Sequence, residues 1–411
     1  MTEAKEIPEL CVPAGNLKIL KFALAYGADA VYIGGEKFNL RSSGNNFSTG
    51  DLKQAVKIAH DRKKKVYFTL NSIISESELK SLEDYLDEIK DTGFDAVIIS
   101  DPGLVSLVKK FIPETRIHIS TQVSTSNHLA ADFWAGTGAC RVNLARELCI
   151  DDIRKISKNS KIETEVFVHG ALCISYSGRC HLSKYLAGRD ANKGLCAHTC
   201  RWKYYLVEEK RPNMFFPVFQ DNRGSYILNS RDLCLVEKLD LIAGAGVSAV
   251  KIEGRMKTES YVSTVTWVYR SALDLLKADN FSSHKKEFLS KQLDKTSHRT
   301  FTEGFMFYAN MDDKSIMDND SAGYIQKYKF AGDIKGYDGS FDGPVITAGN
   351  QIKAGSTADI IQPFKNPFEY QINKIIDLKS GAETTAANTN DIVVLPGMGK
   401  LDEFAIIKIR L

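Results

Sequence analysis

The chain has 411 residues, 43% apolar and 26% charged, an ordinary globular balance that excludes a disordered chain. A formal charge of +3 does not by itself announce a nucleic-acid binder. No apolar run reaches the roughly 20 residues a membrane-spanning helix needs, and the opening Met-Thr-Glu-Ala-Lys-Glu lacks the charged-then-apolar pattern of a signal peptide, so a cytoplasmic protein without membrane attachment is expected.

One phrase recurs along the chain: Gly27-Ala-Asp-Ala-Val-Tyr-Ile33, Gly93-Phe-Asp-Ala-Val-Ile-Ile99, Gly138-Ala-Cys-Arg-Val-Asn-Leu144 and Gly246-Val-Ser-Ala-Val-Lys-Ile252. Glycine suits a left-handed helix cap, and the apolar run after it suits a parallel strand covered on both faces. Further strands are predicted at 9–12, 65–70, 116–120 and 164–168, eight in all with the four recurring phrases. Amphipathic helices fill the gaps. Ser75-x-x-Glu78 is a capping box ahead of a face carrying Leu79, Leu82, Leu86 and Ile89, and Tyr261, Val262, Val265, Tyr269 and Ala272 form a similar stripe later. Both stripes are expected to be core. Eight strands alternating with helices predict an α/β fold, a closed (β/α)8 TIM-like barrel over residues 1–300, with a doubly wound sheet as the alternative. After residue 300, short alternating segments broken by Gly, Asp, Asn and Pro predict a small antiparallel β-barrel domain over 301–411, a binding or substrate-orienting module.

The chain has eight cysteines. Cys11, Cys140 and Cys149 sit in or beside apolar strand patterns, where a thiol acts as a small hydrophobe. Cys173, Cys180, Cys196 and Cys200 instead fall within 28 residues, with Cys234 following, in an insertion at 171–235 after the seventh strand. In a reducing compartment such a group binds metal or reacts rather than forming disulfides. A structural zinc site presents two tight Cys-x2-4-Cys knuckles, and here only Cys196-x3-Cys200 is one. Thiolates around an iron–sulfur cube tolerate irregular spacing, since each meets a different iron. Glycines at 170, 178 and 194 fit a loop wrapped closely around such a group. Cys200 and Cys234 compete for the fourth ligand position.

From 173 to 205 six basic residues, Arg179, Lys184, Arg189, Lys193, Arg201 and Lys203, face one acid, Asp190, so the loop either meets phosphate or offsets a thiolate cluster. Arg179, Lys184, Arg189, Arg201 and Lys203 are the candidate RNA contacts, and Trp202, Tyr204 and Tyr205 could stack bases. Barrel active sites form at the C-terminal ends of the strands. The cysteines should therefore cap that mouth, together with strand-end polar groups: Arg41, Asn71, Gln122, Arg146, His169, Glu253 and Arg255. Among these His169, Glu253 and Arg255 are the candidate catalytic residues.

At these residues a resemblance becomes legible. Glu165-x-Phe167-x-x-Gly170-Ala-Leu-Cys173-x4-Gly178-x-Cys180-x-Leu182-Ser183 resembles, position for position, the signature of the collagenase-like peptidases, family U32. The similarity continues through Asn39-Leu-Arg41, Asn229-Ser-Arg-Asp232, Lys251-Ile-Glu-Gly-Arg255 and Ser297-His-Arg299 into the C-terminal domain. Peptidase chemistry itself finds little support, since there is no His-Glu-x-x-His pair and no Gly-x-Ser-x-Gly elbow. The resemblance implies a 4Fe-4S protein hydroxylating tRNA, ribosomal RNA or a quinone precursor. The two-domain layout is most similar to the branch that makes 5-hydroxyuridine at the wobble position of tRNA, although Thr347-Ala-Gly-Asn-Gln-Ile departs from the Gln-Arg-Asn run of that branch. By that resemblance Cys173, Cys180, Cys196 and Cys200 hold the cluster, Cys234 is a ligand position in some relatives, prephenate is a possible co-substrate, and the partners are a tRNA anticodon loop and possibly a related subunit. The alternatives are a true peptidase, or a zinc-stabilised RNA-binding module without catalysis.

Overall fold

The computed structural model describes residues 6–41, 46–173, 175–201, 206–208, 211–216, 219–221, 224–226, 230–307 and 324–411, with backbone alone for 201–226. In chain order the first half reads β1 (Glu9–Pro13), α1 (Leu17–Ala25), β2 (Ala30–Ile33), α2 (Thr49–His60), β3 (Lys65–Leu70), α3 (Leu79–Ile89), β4 (Ala96–Ile99), α4 (Leu104–Phe111), β5 (Arg116–Ile119), α5 (His128–Gly136), β6 (Arg141–Asn143), α6 (Ile150–Asn159) and β7 (Glu163–Ala171). The insertion follows, with α7 (Leu182–Ala187) and two short antiparallel pairs, β8 (Leu206–Glu208) with β9 (Arg211–Phe216) and β10 (Phe219–Asp221) with β11 (Gly224–Tyr226). Then come β12 (Asp232–Cys234), α8 (Leu239–Gly244), β13 (Ala249–Ile252), α9 (Glu259–Lys277), α10 (Ser283–Leu293) and β14 (Phe301–Thr302).

Strands β1 to β7 pair in order and in parallel, and β13 pairs with both β1 and β7, which closes the eight-stranded barrel. The alternation of side chains across a strand explains why these segments read as continuous apolar runs. Cys11, Ala30, Tyr32, Tyr67, Ala96 and Ile98 fill the barrel's inside, while their neighbours Leu10, Val12, Val31, Phe68, Val97 and Ile99 pack outward against the helices. The helices start where side chains can satisfy their first N–H groups. Ser48 and Asp51 cap α2 reciprocally, Ser75 and Glu78 do so ahead of α3 as expected, and Thr258 caps α9.

The C-terminal domain is an antiparallel sheet, as expected. Its strands are β15 (Tyr328–Asp338), β16 (Gly343–Ala348), β17 (Ile352–Lys353), β18 (Thr357–Ile361), β19 (Phe368–Gln371), β20 (Ile375–Asp377), β21 (Glu383–Thr384), β22 (Ala386–Ala387), β23 (Ile392–Val394) and β24 (Ile406–Arg410), and eight of them form one sheet in the order β19-β18-β24-β15-β16-β23-β20-β21. The expected division at residue 301 falls inside the barrel's own sheet, because β14 pairs in parallel with β12. A buried ion pair reinforces that join: Arg299 Nη2 and Nε lie 2.8 and 3.0 Å from Asp232 Oδ1. The two domains share core. Ile361 and Ile406 pack into the barrel's hydrophobic cluster, Phe22 meets Phe404 edge-on at 5.3 Å, and Trp267 Nε1 donates to the Lys365 carbonyl at 3.0 Å.

Candidate active site at the barrel mouth

At the C-terminal ends of the strands lies a cavity of about 180 Å³. Cys173, Cys180, Cys196 and Cys200 all line it, together with Arg41, Gln122, Asn143, Arg146, Glu253 and Arg255. The structure thus brings together four thiols and six polar groups from the ends of four strands, β2, β5, β6 and β13.

Local contacts hold the cysteine loop over the mouth. β7 ends at Ala171, Leu172 is buried, and Cys173 emerges into solvent. Gly170 has φ +105°, and a Cβ there would stand 2.5 Å from the Glu253 carbonyl oxygen. Only glycine lets β7 pass that close to the segment after β13, so Glu253 and Cys173 reach the same cavity because residue 170 has no side chain. Ser177 adopts the left-handed φ of +47°, and the Glu147 carboxylate holds it by accepting from its N–H at 2.7 Å and its hydroxyl at 2.8 Å. Cys180 N–H donates to Asn192 Oδ1 at 3.2 Å while Asn192 Nδ2 donates to the Cys180 carbonyl at 3.1 Å, an amide clasp that fixes this cysteine. Ser183 Oγ accepts from Ala197 N at 2.9 Å, and Lys193 Nζ reaches Glu78 Oε2 at 2.6 Å, pinning the loop to the barrel.

The thiols carry a mark of their own. The N–H groups of Leu182 and His198 donate to Cys180 Sγ and Cys196 Sγ, each at 3.4 Å. Such donors stabilise negative charge on sulfur, and burial opposes the charge of the Arg41 guanidinium while Glu253 beside it outweighs that and raises it. Among the described residues no three His, Cys, Asp or Glu side chains converge tightly enough to hold a single metal ion. Four cysteines lining one cavity are the ligand type that an iron–sulfur core takes.

Glu253 pairs with Arg41 at 3.3 Å and with Arg146 at 3.9 Å. Burial opposes its ionisation, but the guanidinium groups of Arg41, Arg146 and Arg255 outweigh it and hold the carboxyl below the ordinary range. Arg255 is committed elsewhere: Nη1 donates to Thr69 Oγ1 at 2.7 Å and Nη2 to Asn39 Oδ1. Burial and the neighbouring Arg41 bring it down to about 10. Arg255 is therefore a brace beneath Arg41 and Glu253 rather than a free cation. Arg146 lies over the Phe167 ring at 4.1 Å.

Two amides at the cavity wall are nearly inaccessible, Gln122 at 2% and Asn143 at 3% exposure, and each retains a polar atom without a partner among the described residues. Asn143 Nδ2 donates to Glu165 Oε1 at 2.7 Å, and its Oδ1 is a buried acceptor with no partner among the described residues. Gln122 Oε1 takes the Ser100 hydroxyl at 3.1 Å and leaves Nε2 as an unused donor. Asn143 was not a sequence candidate. Its signal was a polar residue ending an otherwise apolar buried strand.

Two candidates lie elsewhere. His169 belongs to β7 but does not line the cavity. The register between β13 and β7 shifts after Lys251, so Lys251 opposes Phe167 and Ile252 opposes His169. Strict alternation would keep Phe167 and His169 on one face, and the bulge breaks it. The imidazole packs instead against Tyr269, Phe301 and Tyr261 at ring distances of 5.5, 5.6 and 6.0 Å, and burial pushes it down to about 3, a neutral core histidine. Cys234 sits opposite His169 in the antiparallel β12–β7 pair, packs against the core, and burial pushes its thiol up to about 12. It does not reach the cavity, whereas Cys200 does. Arg179, Lys184 and Arg189 are exposed on the outer face of the loop. The Arg201 side chain, Lys203, Trp202, Tyr204 and Tyr205 lie outside the described residues. Cys11 is buried inside the barrel, Cys140 accepts from Arg116 Nε at 3.1 Å, and Cys149 donates to Asp152 at 3.3 Å, all away from the mouth.

Comparison with known proteins adds a family. The sequence model of Peptidase family U32 matches residues 15–316. A "tRNA hydroxylation protein P1" of Bacillus subtilis (strain 168) is 36% identical over 92% of this chain and 89% of its own length. A "tRNA hydroxylation protein P" of Escherichia coli (strain K12) is 33% identical over 95% of this chain and 93% of its own. A "23S rRNA 5-hydroxycytidine C2501 synthase" of the same organism is 35% identical over 74% of this chain and 46% of its own. No helix among the described residues is long and apolar enough to cross a membrane.

Proposed function

This chain belongs to Peptidase family U32, and from that membership we propose that it is an RNA-modification enzyme that hydroxylates C5 of a pyrimidine, in the finer form the wobble uridine of a tRNA anticodon loop, giving 5-hydroxyuridine. Its relatives in Bacillus subtilis and Escherichia coli bear names for hydroxylation of tRNA, and a third, for 23S rRNA, is named for 5-hydroxycytidine, so RNA hydroxylation recurs across the family. The single observation that carries the proposal is the meeting of Cys173, Cys180, Cys196 and Cys200 with Arg41, Arg146 and Glu253 in one cavity over the barrel mouth.

Those four cysteines would hold a 4Fe-4S cluster, and when bound it would supply the electron transfer that oxidation of an aromatic carbon requires. The protein's own groups do the rest. Gln122 Nε2 and Asn143 Oδ1 are an unused donor and an unused acceptor on one wall. That pairing matches the O4 acceptor and N3–H donor on the edge of uracil, and burial makes the match selective because a wrong base leaves both groups unpaired. A loop base enters without the cost of opening a duplex. Arg41 and Arg146 present guanidinium groups to an anionic co-substrate such as prephenate, with Glu253 fixing their orientation between them. The exposed Arg179, Lys184 and Arg189 are placed to meet backbone phosphates outside.

Nucleoside mass spectrometry of tRNA from a strain lacking the gene tests the proposal. Loss of 5-hydroxyuridine, restored by the wild-type gene and not by Cys173→Ala, is expected. An unchanged level overturns it. Iron and acid-labile sulfide in protein purified without air test the cofactor separately, and zinc without iron would overturn that part.

A further inference from the structure

A second recess opens at the junction of the two domains. It has a volume of about 760 Å³ and runs between the start of α9 and the strands β15 and β24. Ala197 and His198 of the cysteine loop line it, and His198 also lines the barrel-mouth cavity, so one residue borders both spaces.

Three features of this groove point to one ligand chemistry. First, α9 is a helix of 19 residues whose opening turn borders the groove. Thr258 takes the N–H of Tyr261 with its side chain and that of Val262 with its carbonyl, which leaves the N–H groups of Glu259 and Ser260 for an acceptor from outside. The Glu259 carboxylate is already neutralised by Lys18 at 2.7 Å. Second, Lys408 lines the groove at 2% exposure, and its Nζ has no hydrogen-bond partner among the described residues. Asp359 lies across from it on β18 but already pairs with Lys295, so two ammonium groups face one carboxylate, and an anion in the groove would offset the excess. Lys257 and Lys329 stand on the same walls with no carboxylate partner among the described residues. Third, Tyr328 and Phe330 of β15, with Tyr324 just before, set aromatic rings beside those cations, and Lys257 Nζ lies 4.4 Å from the Tyr324 ring centre.

We propose that this groove is a nucleotide subsite for the RNA strand flanking the target base, a step that rests on the RNA-modification function above. A backbone phosphate sits at the N-terminus of α9 between Lys257, Lys329 and Lys408. The adjoining base stacks on the Tyr328–Phe330 wall, and the strand passes His198 to deliver the next nucleotide to the cysteine-lined cavity. Alternating cations and flat rings suit a single strand, whose phosphates and bases alternate in the same way. The C-terminal domain then contributes directly to RNA binding, because β15 and β24 form one bank of the groove.

Fluorescence anisotropy with a labelled single-stranded uridine-rich RNA of about ten nucleotides, in a potassium chloride series, tests this on the full chain. Lys257→Glu with Lys329→Glu should weaken binding by about tenfold or more and flatten the slope of log Kd against log salt by about 0.7, the loss of one phosphate contact. Tyr328→Ala should weaken binding by about fivefold to a hundredfold and leave the slope unchanged. The milder pair Lys257→Gln with Lys329→Gln should flatten the slope by the same amount, which separates lost phosphate contacts from misfolding. Wild-type protein that binds RNA while all three variants match it in affinity and slope overturns the groove and leaves the function standing. Wild-type protein that binds no RNA overturns both. Poly-glutamate bound as tightly as RNA would overturn the nucleotide assignment in favour of an acidic polypeptide.

Discussion

At the N-terminal end of the barrel Arg141 is buried among carboxylates, 2.6 Å from Glu9, 2.7 Å from Glu163 and 3.6 Å from Glu165, and Lys251 meets Glu165 at 2.8 Å. Tyr67 adds a hydroxyl to Glu9 at 2.6 Å. At the C-terminal end the buried Gln122 and Asn143 and the half-buried Arg146 line a cavity, and each keeps a polar atom with nothing to bond among the described residues. The same strands supply both ends, and Asn143 and Glu165 touch across the boundary. Glu165 Oε2 and His118 Nε2 also lack a hydrogen-bond partner among the described residues, so what sets the mouth apart is that its open groups belong to residues lining a cavity a ligand can enter. The mouth is thus a binding surface built on a sealed electrostatic floor.

Substitutions should separate the two ends. The largest effect is expected at the cysteines: Cys180→Ala or Cys196→Ala should abolish RNA hydroxylation and the iron content together, with the fold intact by near-ultraviolet circular dichroism. Retained hydroxylation in iron-free protein would break the assignment. At the floor, Arg141→Leu removes one of two cations from Glu9, which keeps Lys65 at 2.7 Å, and from Glu165, which keeps Lys251 at 2.8 Å, and should cost about 1–3 kcal/mol by urea denaturation. The floor also has a pH signature. Burial opposes ionisation of Glu9, but Arg141 and its hydrogen-bond donors hold its carboxyl down at about 2. Its stabilisation is therefore complete above the unfolded value near 4.5 and is lost as the pH falls toward 2, and Arg141→Leu should remove that acid limb.

How far the sequence foretells this division depends on the element. The barrel was legible because each recurring Gly-x-x-x-Val phrase encodes a helix cap and a doubly covered strand, and all eight predicted strands are present. The cysteine loop was legible as chemistry, since four thiols so close together have few structural uses. Which four meet was not legible. Cys234 lies in a three-residue antiparallel strand too short to show a period, and His169 turns outward because of a one-residue register shift that only pairing reveals. The clasps Glu147–Ser177 and Asn192–Cys180 join positions 30 and 12 residues apart through loops, where no periodicity operates. The domain groove was also hidden, because Lys257 and Lys408 come from opposite ends of the fold.

That groove extends the comparison to a third place. Burial brings the Lys408 ammonium down to about 7, despite the favourable charge of Asp359 and with the added repulsion of Lys295. Between that value and the ordinary lysine range the unfolded chain holds a proton the folded chain has released. Stability should therefore rise with pH from about 7 toward 10, by up to about 1.4 kcal/mol per pH unit from this group. Lys408→Met should flatten that rise in thermal unfolding followed across pH. Added RNA should do the opposite of the pH rise, holding Lys408 charged and stabilising the protein most near neutrality.

The smallest change in stability, and the sharpest contrast with Arg141, is expected from Gln122→Met. The side chain keeps its length, and Ser100 Oγ, which now faces Gln122 Oε1, retains the Asn71 carbonyl at 2.7 Å as its acceptor, so no new orphan is created. An unused buried donor is removed at the same time, and the urea midpoint should stay where it is or rise by the equivalent of about 1 kcal/mol. Hydroxylation should nevertheless fall, because the donor facing the base is gone. A loss of about 2 kcal/mol or more would mean that Gln122 belongs to the floor and not to the mouth. In that case the unpaired atoms lining the cavity would be packing imperfections rather than the imprint of a ligand.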